Sequence, residues 1–260
     1  MKSNKKIYIG ILLFLVLFFL FMFFLFGRDY LKQEKESFSI IIGNDTLWSY
    51  QNNQLTNRMN YSSIEKYNNQ EYFVFLSDQK FHNLVLSHDD SWKAFENNKG
   101  EVSLTDDFFA YQSSFDLSLT SVSIQKINKM KYVRQVLESN GISSNSEFSS
   151  SYMFSFDIDQ DGGLEDFYSV SNAFLIGSKA DKVFTFFFMV KDNKIFYVYR
   201  DVDQYNSYSG CKPYVSFFLD INHDSNYEFI FNCGRYSKET PIRRIYRFQN
   251  QQFEILVSNE

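Results

Sequence analysis

The sequence predicts a mainly β protein: an N-terminal transmembrane helix, then an extracytoplasmic antiparallel β domain with two repeat units and one helix near residues 123–140. Three observations carry that prediction. Residues 7–27 contain no charge. Beyond them Phe and Tyr stay abundant, at 31 and 18 in the whole chain, while Ala is scarce, a balance that favours strands. One short acidic motif, set each time between apolar runs, occurs twice in the C-terminal half.

Residues 1–6 form a short tail carrying Lys2, Lys5 and Lys6. The 21 uncharged residues 7–27 then span about 30 Å as a helix, enough to cross the hydrocarbon core. A cleavable signal peptide has a shorter apolar stretch and a small-residue site, whereas here Phe24-Leu25-Phe26-Gly27 runs straight into Arg28. The segment therefore reads as an uncleaved anchor. Basic residues flank both ends, and the short tail without a folded domain sets the cytoplasmic side. Residues 28–260 are expected outside the cytoplasm, in a periplasm or at a cell surface. Without the three tail lysines the 26 basic residues fall to 23 against 31 acidic ones, a net charge of −8. An acidic ectodomain repels phosphate backbones, which argues against nucleic acid as a partner.

Residues 28–37 form a charged stalk and 38–142 a mixed β/α region. Apolar runs at 38–42 and 46–50, joined by Gly43-Asn44-Asp45, predict a first hairpin. Residues 51–70, rich in Asn, Gln and Ser, predict a loop with a helical turn after the capping pattern Ser62-Ser63-Ile64-Glu65. Runs at 72–76 and 81–86 predict a second hairpin. Segments 91–96 and 105–111 read as short helices, Asp106 and Asp107 suiting a first turn. The long helix rests on Ile124, Ile127, Met130, Val133 and Leu137, which recur every three or four residues. It stops at Asn140-Gly141, where Gly can turn left-handed, and its Lys126, Lys129 and Arg134 read as a solvated face.

After the Ser-rich stretch 143–151 the pattern is wholly β. Over 152–257 the unit strand, acidic loop, strand, hairpin occurs twice, the loops starting 63 residues apart at Asp157 and Asp220. Asp157-Ile158-Asp159-Gln160-Asp161-Gly162-Gly163-Leu164-Glu165 and Asp220-Ile221-Asn222-His223-Asp224-Ser225-Asn226-Tyr227-Glu228 share the frame D-x-[D/N]-x-D and an acid at position nine. Alternate side chains of so tight a loop turn inward. Positions one, three and five, a backbone carbonyl at seven (Gly163, Asn226) and the ninth carboxylate can thus surround one hard cation, Ca²⁺ above all. The first loop has more carboxylates and Gly162 at the sharp sixth position, whereas the second has Asn222 and Ser225, so tighter binding is expected at the first. Cys211 and Cys233 flank the second loop almost symmetrically and are expected to form a disulfide in an oxidising compartment.

Neither loop is an EF-hand, since position twelve holds Tyr168 or Phe231 and the flanks are strands. The loops resemble instead the calcium loop of FG-GAP and VCBS repeats, including integrin-type propeller blades: D-x-[D/N]-x-D-G-x-x-[D/E] before an apolar strand. The resemblance covers 152–257 only and implies propeller-blade-like or sandwich-like units. It carries ligand positions onto Asp157, Asp159, Asp161 and Glu165, and onto Asp220, Asn222, Asp224 and Glu228. The Gly-Ala-Pro element that often follows the family's loop is absent here, replaced by Phe167-Tyr168-Ser169-Val170 and Phe229-Ile230-Phe231-Asn232.

Catalytic patterns are weak. Ser77 with Lys80, and Ser123 with Lys126, fit S-x-x-K without its companion motifs. His82 and His88, beside Asp89 and Asp90, read as unliganded surface histidines. Arg243, Arg244 and Arg247, with Lys238, read as a basic edge strand that blocks aggregation. The leading expectation is a non-catalytic calcium-binding module for adhesion, recognition or envelope assembly, with a protein or glycan partner outside the cytoplasm. The rival is an extracytoplasmic hydrolase acting through Asp89, Asp90, Asp106 and Asp107.

Overall fold

Alternating apolar and polar residues turn most of this chain into antiparallel strands. The computed structural model describes residues 38–51, 54–58, 64–76, 79–96, 100–105, 108–112, 117–120, 122–173, 182–204, 211–235 and 241–260. The expected tail, anchor and stalk at 1–37 lie outside the described residues, as do Ser62, Ser63, Ser77, Asp106, Asp107 and Lys238. Among the described residues no helix is long and apolar enough to cross a membrane.

Strands β1 (Phe38–Ile42), β2 (Thr46–Gln51), β3 (Gln54–Asn57), β4 (Gln70–Phe75), β5 (Phe81–His88), β6 (Trp92–Glu96), β7 (Gly100–Val102) and β8 (Phe109–Gln112) form one sheet, ordered β3-β2-β1-β8-β4-β5-β6-β7. Both expected hairpins are present, and Glu65–Tyr67 forms a 3-10 turn where a helical turn was expected. Three expectations are corrected. Residues 54–57 pair with β2 instead of looping. In β6, Trp92 and Ala94 are buried and Lys93 is exposed, a period of two that makes a strand where a helix was expected. In β8, Phe109, Ala110 and Tyr111 are all buried, because that strand lies between β1 and β4.

The expected helix at 123–140 is also shorter: α1 covers Met130–Ser139. Gln125 instead exchanges backbone hydrogen bonds of 2.7 and 2.9 Å with Met153, which holds 123–129 out of helical geometry and leaves Ile124 exposed. The helix end is as expected, with Gly141 at φ +66° and the Ile142 N–H donating to the Leu137 carbonyl at 3.0 Å.

The repeat is laid down as two four-stranded meanders. The first is β10 (Ser150–Phe156), β11 (Glu165–Ser171), β12 (Lys182–Lys191) and β13 (Lys194–Gln204). The second is β14 (Cys211–Asp220), β15 (Glu228–Arg235), β16 (Ile242–Gln249) and β17 (Gln252–Ser258), with β9 (Ser118–Thr120) added beside β14. In each, an acidic loop joins the first two strands and a two-residue turn joins the last two. Those turns have positive φ at both residues, 51° and 61° at Asp192-Asn193 and 53° and 59° at Asn250-Gln251, the geometry that suits a twisted hairpin. Cys211 and Cys233 stand at disulfide distance on β14 and β15, with Cα atoms 5.3 Å apart.

The three sheets stack with the second meander in the middle. One of its faces packs Val215, Phe218, Phe229 and Tyr246 against Phe154, Phe167 and Phe187 of the first meander. The other packs Phe217, Leu219, Ile230 and Ile245 against Ile40, Trp48 and Phe109 of the N-terminal sheet. Helix α1 covers the far face of the first meander through Val133, Val136 and Leu137. The arginine strand is β16, an interior strand of the middle sheet, and this corrects the edge-strand reading. Arg243 is buried, forms an ion pair with Asp45 and donates to Thr46 Oγ1 at 3.2 Å, which ties the first hairpin to the middle sheet. Arg244 reaches Glu260 at 2.5 Å, and Arg247 reaches Glu228.

Candidate metal centre

The two acidic loops have one wiring. Position one accepts from the N–H of position six: Gly162 to Asp157 at 3.0 Å and Ser225 to Asp220 at 3.3 Å. Position five accepts from position seven: Gly163 to Asp161 at 2.7 Å and Asn226 to Asp224 at 2.8 Å. The ninth carboxylate accepts from position two: Ile158 to Glu165 at 3.0 Å and Ile221 to Glu228 at 3.1 Å. Positions four and six turn left-handed in both copies, at Gln160 (φ 50°) and Gly162 (86°), and at His223 (56°) and Ser225 (69°). Serine pays a steric cost there that glycine does not.

Position two drives each loop inward. Ile158 and Ile221 are each 1% exposed and enter different cores, Ile158 between the two meanders and Ile221 between the middle and N-terminal sheets. The loops also touch, since the Tyr227 N–H donates to the Ile158 carbonyl at 2.8 Å. Beside them a cleft of about 370 Å³ is lined by Asp159, Lys191, Asp224, Arg247, Phe196 and Phe248, among others.

In the first loop, Asp157, Asp159 and Glu165 place carboxylate oxygens within 4.8 Å of one another. Lys191, at the end of β12, lies against this group. Its ammonium donates to Asp159 at 3.0 Å, Asp161 at 2.7 Å and Glu165 at 2.6 Å. Asp157 is occupied differently: Oδ1 accepts from the Asp161 N–H at 3.1 Å and Oδ2 from Gly162. Burial pulls Lys191 down, but hydrogen bonds to Asp161, Glu165 and Asp159 outweigh it and hold the ammonium above its ordinary range. The hydrogen bond from Lys191 lowers Asp161, while burial raises Glu165 against the pull of the same lysine. Asp166 faces away, accepting from Lys129 at 2.6 Å and Ser155 at 2.7 Å, so Lys129 is an ion-pair partner and not only a solvated residue.

In the second loop the basic residue at the matching place is Arg247 of β16, directly across from Glu228. Its Nε and Nη2 both reach Glu228 Oε1, at 2.7 and 2.5 Å. Burial raises the Glu228 carboxyl, opposed by the Ile221 N–H and Arg247. Asn222 donates to Asp224 at 2.8 Å. Two oxygens remain: Asp220 Oδ1 and Asn222 Oδ1 are buried and have no hydrogen-bond partner among the described residues. Such atoms are costly unless something polar or charged fills the space before them. This donor set, a carboxylate and a carbonyl oxygen at positions one and three, fits a hard cation.

Sequence reasoning placed both loops but missed Lys191 and Arg247. Each lies across one strand pairing from the ninth-position glutamate, a relation set by register and not by spacing. Of the rival carboxylates, Asp89 and Asp90 are exposed between β5 and β6, and Asp106 and Asp107 lie outside the described residues. The His88 ring packs on Trp92 at 4.9 Å. No protein-family model, curated protein or solved structure matches the chain.

Proposed function

We propose that this chain is a membrane-anchored, calcium-binding β module of FG-GAP/VCBS-like repeats, acting outside the cytoplasm in adhesion, recognition or envelope assembly. The observation that carries the calcium reading is the pair of buried, unpartnered oxygens on Asp220 and Asn222. Asp220 and Asn222 would supply side-chain oxygens to the ion and Asn226 a carbonyl, while Asp224 and Glu228, whose oxygens already accept from Asn222, Asn226, Arg247 and Ile221, would lend negative charge beside it. Calcium there supplies charge neutralisation, which relieves repulsion among the carboxylates and fixes the turn between β14 and β15. The uncharged run 7–27 supports the anchor, and the cysteine pair supports an oxidising compartment. A protein or glycan is the partner class that suits an acidic, aromatic-rich ectodomain.

The test is calorimetric titration of the full chain in detergent with CaCl₂, alongside melting in calcium and in chelator. The expected dissociation constant is about 10⁻⁴–10⁻³ M, as in extracellular modules. At ten times that concentration the gain is about 1.4 kcal/mol, a rise of roughly 3–5 °C. Asp220→Ala removes it. Identical melting of the wild-type chain in calcium and in chelator overturns the reading.

A further inference from the structure

We infer that Lys191 is the built-in cation of the first acidic loop, and that the lysine at this register position decides which of the two loops takes calcium. The inference rests on the calcium reading for the second loop only in its comparison between copies. The first loop has the richer carboxylate set, so composition alone ranks it as the better ion site. Its oxygens are nevertheless spoken for. An ammonium carries three donors, and Lys191 meets three acceptors: Asp159, Asp161 and Glu165, all within 3.0 Å. The remaining ligand position, Asp157, gives both oxygens to backbone N–H groups. No side-chain oxygen of this loop is buried without a partner among the described residues.

A divalent ion would have to take Lys191's acceptors and leave the ammonium, whose side chain is only 18% exposed, without its three partners. In the second loop the equivalent residue is an arginine. Its planar guanidinium engages one carboxylate with two nitrogens, and Asp220 Oδ1 and Asn222 Oδ1 are left without hydrogen-bond partners among the described residues. A compact ammonium fills the cage; a fork does not.

CaCl₂ titration of the full chain tests this. The wild type should bind one ion, and Asp220→Ala none. The double variant Asp220→Ala/Lys191→Met should regain one ion, at least tenfold tighter than Asp220→Ala and within about 10⁻⁴–10⁻³ M. A measurement on the unaltered chain guards against a misfolded variant. Acetylation of Lys191, followed by mass spectrometry, should be at least tenfold slower than that of exposed Lys194, and about 10 mM calcium should leave it unchanged, well above that affinity range. Calcium that accelerates Lys191 acetylation, or an ion retained by Asp220→Ala, overturns the inference. If the wild type binds one ion and Lys191→Met adds none, the inference fails while the second-loop reading stands. If the wild type binds none and Lys191→Met binds one, the second-loop reading fails and the inference stands.

Discussion

Replacing Arg247 with methionine isolates the most deeply buried charge in either loop. Glu228 has 0% side-chain exposure, and its two oxygens are held separately, Oε1 by Arg247 and Oε2 by the Ile221 N–H. Removing the guanidinium leaves a carboxylate in the protein interior with one oxygen unmet. Breaking a buried pair this way costs about 3–5 kcal/mol, because the surviving charge loses its compensation. For a chain of this size each kcal/mol moves the melting temperature by roughly 2–4 °C, so a drop of at least about 6 °C is expected at neutral pH. The reverse change is milder: Glu228→Gln keeps an acceptor for the partly exposed guanidinium and should cost about 1–2 kcal/mol. The double variant Arg247→Met/Glu228→Gln should melt well above Arg247→Met, since position 228 then carries no unpaired charge. Burial already raises the Glu228 carboxyl, so in Arg247→Met it can take up a proton, and the deficit should shrink toward pH 5. Thermal melts of the full chain in chelator provide the readout. An Arg247→Met chain that melts within about 1 °C of wild type would refute the reasoning.

Two further outcomes follow from other layers. Replacing both Cys211 and Cys233 by alanine opens a closure between residues 22 apart and should cost about 3 kcal/mol, seen as a lower denaturation midpoint that reductant no longer affects. Burial, opposed by the Ser39 hydroxyl, pushes the Tyr72 phenol up to about 12, whereas an unfolded tyrosine ionises near 10. The fold favours the neutral phenol, so its stabilisation is whole below pH 10 and lost as pH rises toward 12, by at most about 2.7 kcal/mol. Tyr72→Phe should flatten that part of the alkaline limb in urea titrations, and an unchanged slope would contradict it.

Much of this fold was legible because alternation and turn residues agree. The first hairpin turns at Gly43-Asn44-Asp45 as its sequence predicts, and each repeat unit ends in the expected hairpin, turning at Asp192-Asn193 and Asn250-Gln251. The errors share a cause. Phe109–Gln112 is too short to show a period and takes its strand character from β1 and β4, both distant in sequence, whereas Trp92–Glu96 alternates over only five residues and is fixed by pairing with its neighbours β5 and β7. The helix stripe from Ile124 was real as a spacing but lost its first two turns to Gln125's bond with Met153. Arg243 reads as surface residue until β17 forms outside it and Asp45 arrives from the first hairpin. The acidic loops were found by local spacing. Their cations were not, because Lys191 and Arg247 are fixed by strand register.

The stacking order has a consequence for how the chain is made. The middle sheet is built almost entirely from residues 211–258, the last strands in the sequence. While the chain emerges, the N-terminal sheet and the first meander each present an apolar face whose cover has not yet been synthesised. Ile40, Trp48 and Phe109 wait on one side, and Phe154, Phe167 and Phe187 on the other. A chain stopped short of β14 would keep two finished sheets and lose the layer that hides both, leaving adhesive surfaces suited to aggregation or to a holding chaperone. Closure of both cores therefore waits for residues 211–258, the strands that supply their shared middle layer.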